Sequence, residues 1–372
     1  MFNWAKQQLA NVVGTEEPEY GPSAIQPVTE QAIETPYTEL KKEDLKWTIM
    51  DSTNVETHTF HLHSNQGHEG LAQIIYSNVA GFRITAQFNS KIHYPGEKPT
   101  HLWCSDQIHE YALDEEKYDF TGPECSIVLS EDGNTYTIKS EINKDCIVDL
   151  KVTRAAPGFM VGKDGTSYFG TDPANPWGRM RHIFWTRCNV EGSMTTKDGE
   201  VDFTGHGMFI HALQGMKPHH AACRWNFVDF QGPTYSAALM EYTTPRSYGS
   251  TVVSFGGIVS DGKIVWAGAT PAVKHTAIIP DPENDWPEPS AISWTWKGDK
   301  FEAELSGSMG ERMDRVDVMA EVPGFVKQIV AGAVGTKPYI YQYGPHLTLK
   351  IDDNGKHTEE EGQIFTEATF IS

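Results

Sequence analysis

The segment Gly205-His-Gly-Met-Phe-Ile-His-Ala-Leu-Gln-Gly-Met-Lys-Pro218 carries the densest set of groups able to orient a ligand. His211 and Gln214 lie three apart, beside Met208, Phe209, Leu213 and Met216. One turn of helical or irregular chain would point both polar groups the same way. There they could orient a mostly apolar molecule, because such sites combine an apolar lining with a few placed polar groups. Gly205 and Gly207 would let backbone come close to that molecule. Met208 and Trp225 would supply apolar wall, the former adaptable in shape. The competing reading is that His211 and Gln214 satisfy backbone groups at a junction between domains, and that the tryptophans fill domain interiors.

Other chemistry is sparse. No phosphate-binding loop, nucleophile elbow, zincin motif or dinucleotide glycine fingerprint is present. His58, His61, His63 and His68 cluster, and the middle two would share one strand face. No cysteine or carboxylate stands at a recognised partner spacing, so exposed strand histidines are expected rather than a metal site. His219-His220 with Cys223 is an equally weak zinc pattern. Asp149 and His211 could each serve an acid–base step, but they form no constellation. Neither metal nor cofactor is expected.

A different function, membrane contact, is written in the first fourteen residues. At about 100° per residue, Met1, Phe2, Trp4, Ala5, Leu9, Val12 and Val13 gather into one helical arc. Gln8 interrupts the arc and Gly14 supplies a stop. Lys6 is the sole charged side chain, so attachment would come from apolar insertion more than from anionic lipid. The segment is too short to cross a bilayer, which takes about 20 apolar residues, and it lacks the build of a secretory signal. A helix docked on the protein's own body is the other reading. Residues 15–44 hold four prolines and a local charge balance of −6, which suggests an acidic tether.

The elements that would position these groups are strands. From Leu45 onward, short alternating segments such as Tyr136-Thr-Ile-Lys and Tyr339-Ile-Tyr-Gln-Tyr are separated by turn dipeptides. Asp132-Gly133, Asp164-Gly165, Asp198-Gly199, Asp261-Gly262 and Asn354-Gly355 favour the turns that join antiparallel strands. Long helical patterns are nearly absent, and Phe325-Val-Lys-Gln-Ile-Val-Ala-Gly could make a turn or two. The 372 residues suffice for two domains. A net charge of −20 and a pI near 5.1 argue against nucleic acid and against broad adhesion to anionic membranes. Five cysteines at irregular spacing, without a secretory signal, read as reduced cytosolic thiols.

A duplication shows through. Val148-Asp-Leu-Lys-Val-Thr-Arg-Ala-Ala-Pro-Gly-Phe159 is echoed by Val316-Asp-Val-Met-Ala-Glu-Val-Pro-Gly-Phe325. Phe203-Thr204 precedes Phe209-Ile210 much as Phe365-Thr366 precedes Phe370-Ile371. The expected organisation is a helix over 1–14, a linker over 15–44, and two tandem antiparallel barrels over 45–215 and 216–372. Closed barrels of about eight strands leave room for one small ligand, so both interiors and the seam are candidate cavities.

Three segments together resemble the fungal survival-factor family. They are the Met1-Phe-x-Trp4 start running into Gly14-Thr-Glu-Glu-Pro-Glu-Tyr-Gly-Pro-Ser-Ala-Ile25, the Gly207–Pro218 segment, and Glu361-Gly-Gln-Ile-Phe-Thr-Glu-Ala-Thr-Phe-Ile371. The resemblance covers essentially the whole chain. It implies two lipocalin-like (calycin-type) domains, kin to carotenoid hydratases and tocopherol cyclase. It also implies carriage of ceramide from endoplasmic reticulum to Golgi, contact with those membranes through the N-terminal helix, and a role in surviving oxidative stress. Acetylation of Met1 is implied as well, and Phe2 fits it by blocking removal of Met1. Losing that positive charge would suit the helix N-terminus. A cytoplasmic monomer, peripheral on those membranes and extending to the nucleus, is expected. The alternatives are an enzyme on an apolar substrate, of hydratase, cyclase or isomerase type, and a membrane-tethered stress protein without ligand.

Overall fold

Alternation at a period of two decides which side chains face inward. Along β1 (Asn54–Ser64), Phe60 and Leu62 enter an apolar core, while Thr57, Thr59 and His61 take the other face. The computed structural model describes residues 17–79, 81, 83–96, 100–318 and 338–372. The expected helix with Met1, Phe2, Trp4, Ala5, Leu9, Val12 and Val13 lies outside these residues, as does the helical turn expected from Phe325.

The first sheet continues through β2 (Glu69–Val79), β3 (Arg83–Tyr94), β4 (Thr100–Ile108), β5 (Cys125–Leu129), β6 (Thr135–Asn143), β7 (Cys146–Arg154), β8 (Gly178–Thr196) and β9 (Gly205–Gln214). Its order is β4-β3-β2-β1-β9-β8-β7-β6-β5, antiparallel throughout. The second sheet begins with β10 (Arg224–Gln231), β11 (Tyr235–Thr243), β12 (Val252–Ser260), β13 (Lys263–Gly268), β14 (Ala272–Pro280), β15 (Pro287–Gly298) and β16 (Phe301–Ser308). After β17 (Asp314–Asp317) and β18 (Tyr339–Tyr343) it ends with β19 (His346–Asp353) and β20 (Lys356–Phe370). Its order is β13-β12-β11-β10-β20-β19-β16-β15-β14, with β17 paired to β18 and β18 to β20.

Over these nine places the two orders match, the first sheet alone running on to Phe120–Thr121 and Ala112–Leu113, and each last strand returns to pair with the first strand of its own half. Asn354 and Gly355, at φ 54° and 82°, make the tight turn that lets β20 follow β19. The chain is therefore all-β, in two curled antiparallel sheets of lipocalin-like build. One echo in the sequence lands on equivalent strands, since Phe209-Ile210 lies in β9 and Phe370 ends β20. The other does not. Val148 sits in β7, whose counterpart is β16, whereas Val316 sits in β17, outside the shared order. Short apolar-acidic alternation recurs in many strands and does not by itself set equivalence.

Aromatic side chains fill both sheet interiors. Phe60, Phe88, Tyr136, Trp185 and Phe209 are buried in the first, and Phe230, Trp294, Trp296, Tyr341 and Tyr343 in the second. Chains passing between the halves run through residues 215–223, with a short helix, α1, at Pro218–Ala221.

The stretch expected to be a tether is laid down on the body over residues 17–45. Tyr20 and Gly21 donate backbone N–H bonds to Ser247 O. Ile25–Gln26 pairs with Tyr168–Phe169, and Tyr37–Glu39 pairs with Phe159–Val161. Between them Val28–Glu34 forms two helical turns. Ala24, Ile25 and Val28 bury themselves with Phe159, Phe169, Tyr248 and Phe255, thereby touching both halves. The acidic count misled because charge and core face different sides. Most carboxylates stay toward solvent, while apolar side chains worth about 1.5–3 kcal/mol each go inward. Glu17 is the exception, a buried carboxylate bonded by Ser247 and Tyr248 hydroxyls at 3.1 Å each.

Candidate functional site

The outward faces of the two sheets turn toward each other, and a cavity of about 500 Å³ remains between them. That volume falls within the roughly 300–1,000 Å³ of small-molecule sites. The first sheet contributes the residues that alternation points away from its core: Thr57 and Thr59 on β1, Gln73 on β2, Gln87, Asn89 and Lys91 on β3. In a lone sheet these positions would meet water, which is why they are polar. The second sheet contributes Trp225 and Phe227 from β10 and Met240 from β11. Val316 and Ile340 extend this apolar side, and Leu71, Ile75, Trp103 and Ile210 add to it from the first sheet. One wall is thus polar and the others largely apolar.

The polar wall is internally wired. Gln73 Nε2 donates to Thr59 Oγ1 at 2.6 Å, and Asn89 Nδ2 donates to Gln73 Oε1 at 2.9 Å. Farther along, Lys91 Nζ donates to Gln342 Oε1 at 2.7 Å and forms an ion pair with Asp314. Gln342 Nε2 in turn donates to Glu367 Oε1. His101 Nε2 lies 3.6 Å from Asp314 Oδ2. This chain of contacts runs from β3 across to β17, β18 and β20, so it also holds the halves together.

Burial decides the charge states here. Burial pushes the Glu367 carboxyl above its ordinary range, against the opposing pull of Gln342 and Lys91. Asp314 is raised by burial but lowered further by Lys91 and His101, and ends below its ordinary range. Burial pushes His61 down to about 4 and His182 down to about 3. These two imidazoles of the cavity wall are therefore neutral at physiological pH. His63 behaves oppositely. Burial lowers it, but the adjacent Asp229 carboxylate outweighs that and leaves it raised.

The residues singled out from sequence are distributed unevenly. Gln214 and Trp225 line the cavity. His211 does not, because residues 205–214 form a strand and three positions along a strand reach opposite faces. Its Nε2 lies 2.7 Å from Glu56 Oε1 inside the first sheet, and its ring stands 4.5 Å from that of His58. Met208 shares the outward face but is sealed in apolar packing beside the cavity. Gly205 and Gly207 serve strand contact instead of ligand contact, since a Cβ there would meet His63 O and His61 O at 2.2 and 2.3 Å. His58, His61 and His63 are buried rather than exposed: His58 points into the first sheet and stacks on Trp47, while His61 and His63 are covered by the second sheet, which lies over the outer face of β1. Among the described residues no cluster fit to hold a metal ion is found. Lys91, Asp314, Gln342 and Glu367 were missed. Their signal was present as polar side chains at alternate positions of otherwise apolar strands, but its meaning depended on what covered them.

The model of the Svf1 family matches residues 2–372. The chain is 58% identical to "Ceramide-binding protein svf-1" of Neurospora crassa, over all of both chains. It is 42% identical to "Ceramide-binding protein SVF1" of Candida albicans, again over the full length of both. Among solved structures, CghA superposes with a TM-score of 0.60 at 12% identity, covering 86% of this chain and 89% of that one. Kievitone hydratase of Nectria haematococca superposes at 0.53 and 10% identity, covering 95% and 98%. These last two likenesses concern the fold. With the family model matched along its whole length and relatives matched end to end, the chain belongs to the Svf1 family.

Proposed function

We propose that this protein is a ceramide carrier that holds the lipid in the cavity between its two sheets. The observation that supports this most directly is the cavity itself, apolar on most sides and polar on one. A ceramide presents two long tails, an amide and hydroxyls. Left without partners out of water, each of those polar groups would cost about 1–3 kcal/mol. The Thr59–Gln73–Asn89 wall and the Lys91–Gln342–Glu367 chain offer partners beside apolar surface for the tails. The names of the Neurospora and Candida relatives support the same ligand.

In this reading the carrier moves ceramide from endoplasmic reticulum to Golgi. Residues 1–14, acetylated at Met1, make a reversible contact with each membrane, and the traffic supports sphingolipid synthesis and survival of oxidative stress. Native mass spectrometry of the purified full chain, followed by lipid extraction, tests the first step. One sphingolipid per protein is the expected result. A protein that emerges empty and takes up no ceramide from vesicles overturns the carrier reading.

A further inference from the structure

Glu367 projects from β20 into the cavity, where Gln342 holds one of its two carboxylate oxygens. Among the described residues the other oxygen, Oε2, has no hydrogen-bond partner and is not sealed off. Its neighbours have little donor capacity left. Lys91 is committed to Asp314 and Gln342, and Gln342 is committed at both ends of its amide. Asp314 takes Lys91 on one oxygen and the Arg315 backbone N–H on the other at 2.8 Å. Arg315 reaches the cavity edge, but its guanidinium is already paired with Asp281 and Glu283. With Glu367 ionised, the two carboxylates of this floor exceed its one ammonium by one unit of negative charge.

We propose that Glu367, positioned by Gln342 and Lys91, is the specificity-determining group for the polar end of the bound lipid. It accepts a hydrogen bond from an uncharged hydroxyl or amide and turns away lipids that carry phosphate. This inference rests on the carrier reading above and adds the class of headgroup admitted. The physical basis is differential. A hydroxyl or amide N–H satisfies the spare carboxylate oxygen, whereas a phosphate brings like charge beside it in a poorly solvated site. Acceptor-only lipids, such as fatty-acyl esters, gain nothing from Glu367 and leave its oxygen without a partner.

The test titrates full-length wild-type protein, Glu367→Gln and Glu367→Leu with palmitoyl-ceramide, with its phosphate monoester, and with a hydrocarbon fluorophore. Wild type should prefer ceramide to the phosphate ester by about tenfold or more. Glu367→Gln removes the charge; its single amide oxygen takes Gln342 Nε2, and its amide N–H₂ can still pair with a lipid hydroxyl or carbonyl oxygen. It should keep ceramide within about threefold of wild type and lose most of the discrimination. Glu367→Leu should weaken ceramide by about tenfold while the hydrocarbon probe is unaffected, with the melting temperature reporting on folding. Equal wild-type affinity for the two sphingolipids, or full discrimination retained by Glu367→Gln, overturns the proposal while leaving the carrier reading intact. So does unchanged ceramide affinity in Glu367→Leu. Binding of neither sphingolipid by wild type overturns the carrier reading, and the headgroup site with it.

Discussion

His63 Nε2 on β1 stands 2.9 Å from Asp229 Oδ2 on β10, so a fully buried pair ties one sheet to the other. Gln231 supports it, donating to Asp229 Oδ1 at 2.6 Å and to Thr186 O at 2.9 Å. Removing one partner would leave the other charge buried without compensation. Asp229→Ala should therefore destabilise the protein by about 3–5 kcal/mol. Chemical denaturation followed by tryptophan fluorescence measures this, and a loss under about 1 kcal/mol would show that the seam holds without the pair.

Glu69 makes stability depend on pH. Burial pushes its carboxyl up to about 7, despite the opposing pull of His63 and Gln363. The folded protein thus retains a proton that the unfolded chain releases near 4.5. Stability from this group is greatest below 4.5 and declines as pH rises toward 7. His63, whose folded value is also raised, works in the same direction, its contribution being lost as pH rises through that value. Glu69→Gln cannot ionise, so its melting temperature should fall less than that of wild type between pH 4.5 and 7. Parallel curves for the two proteins would contradict the assignment.

The strap over residues 17–45 contributes to the core. Ile25 is buried against both halves, and Ile25→Ala should cost about 2–4 kcal/mol of folding stability. A freely moving tether would give no measurable change in the same thermal melt.

His211 and Trp225 separate folding from binding. His211→Leu strands the buried Glu56 carboxylate, which otherwise receives His211 and the backbone N–H groups of Thr48 and Ile49. The expected loss is again about 3–5 kcal/mol, with ceramide affinity of the folded fraction unchanged. Trp225→Ala removes cavity wall and should weaken ceramide about tenfold with a smaller loss of stability. Isothermal binding measured on folded material distinguishes the two, and the reverse pattern would relocate the site.

The N-terminal segment has its own test. Replacing Phe2 and Leu9 with Asp should release the protein from vesicles in a flotation assay, because charge resists burial below the headgroups. An unchanged melting temperature is expected alongside. A large drop would mean that the segment packs on the body.

The strand content, the turns and the doubled plan were legible in the sequence because they are local. Asn354-Gly355 states its turn whatever surrounds it, and the alternation around Phe60 states a strand with one buried face. Family membership was equally legible, since it rests on motifs spread over the whole chain. The cavity was not. Alternation says that Gln73, Asn89 and Lys91 point away from the core of their own sheet, but not that a second sheet covers them. His211 and Gln214 were paired under the assumption of a turn, and a single change of backbone period from helix to strand sent them to opposite faces. Gln342 meets Lys91 across 251 residues of chain and brings Glu367 with it. Sequence by itself determined which side of each strand is apolar, because that is settled within a few residues. Tertiary structure alone decided which outward faces meet, because that depends on how two finished sheets pack.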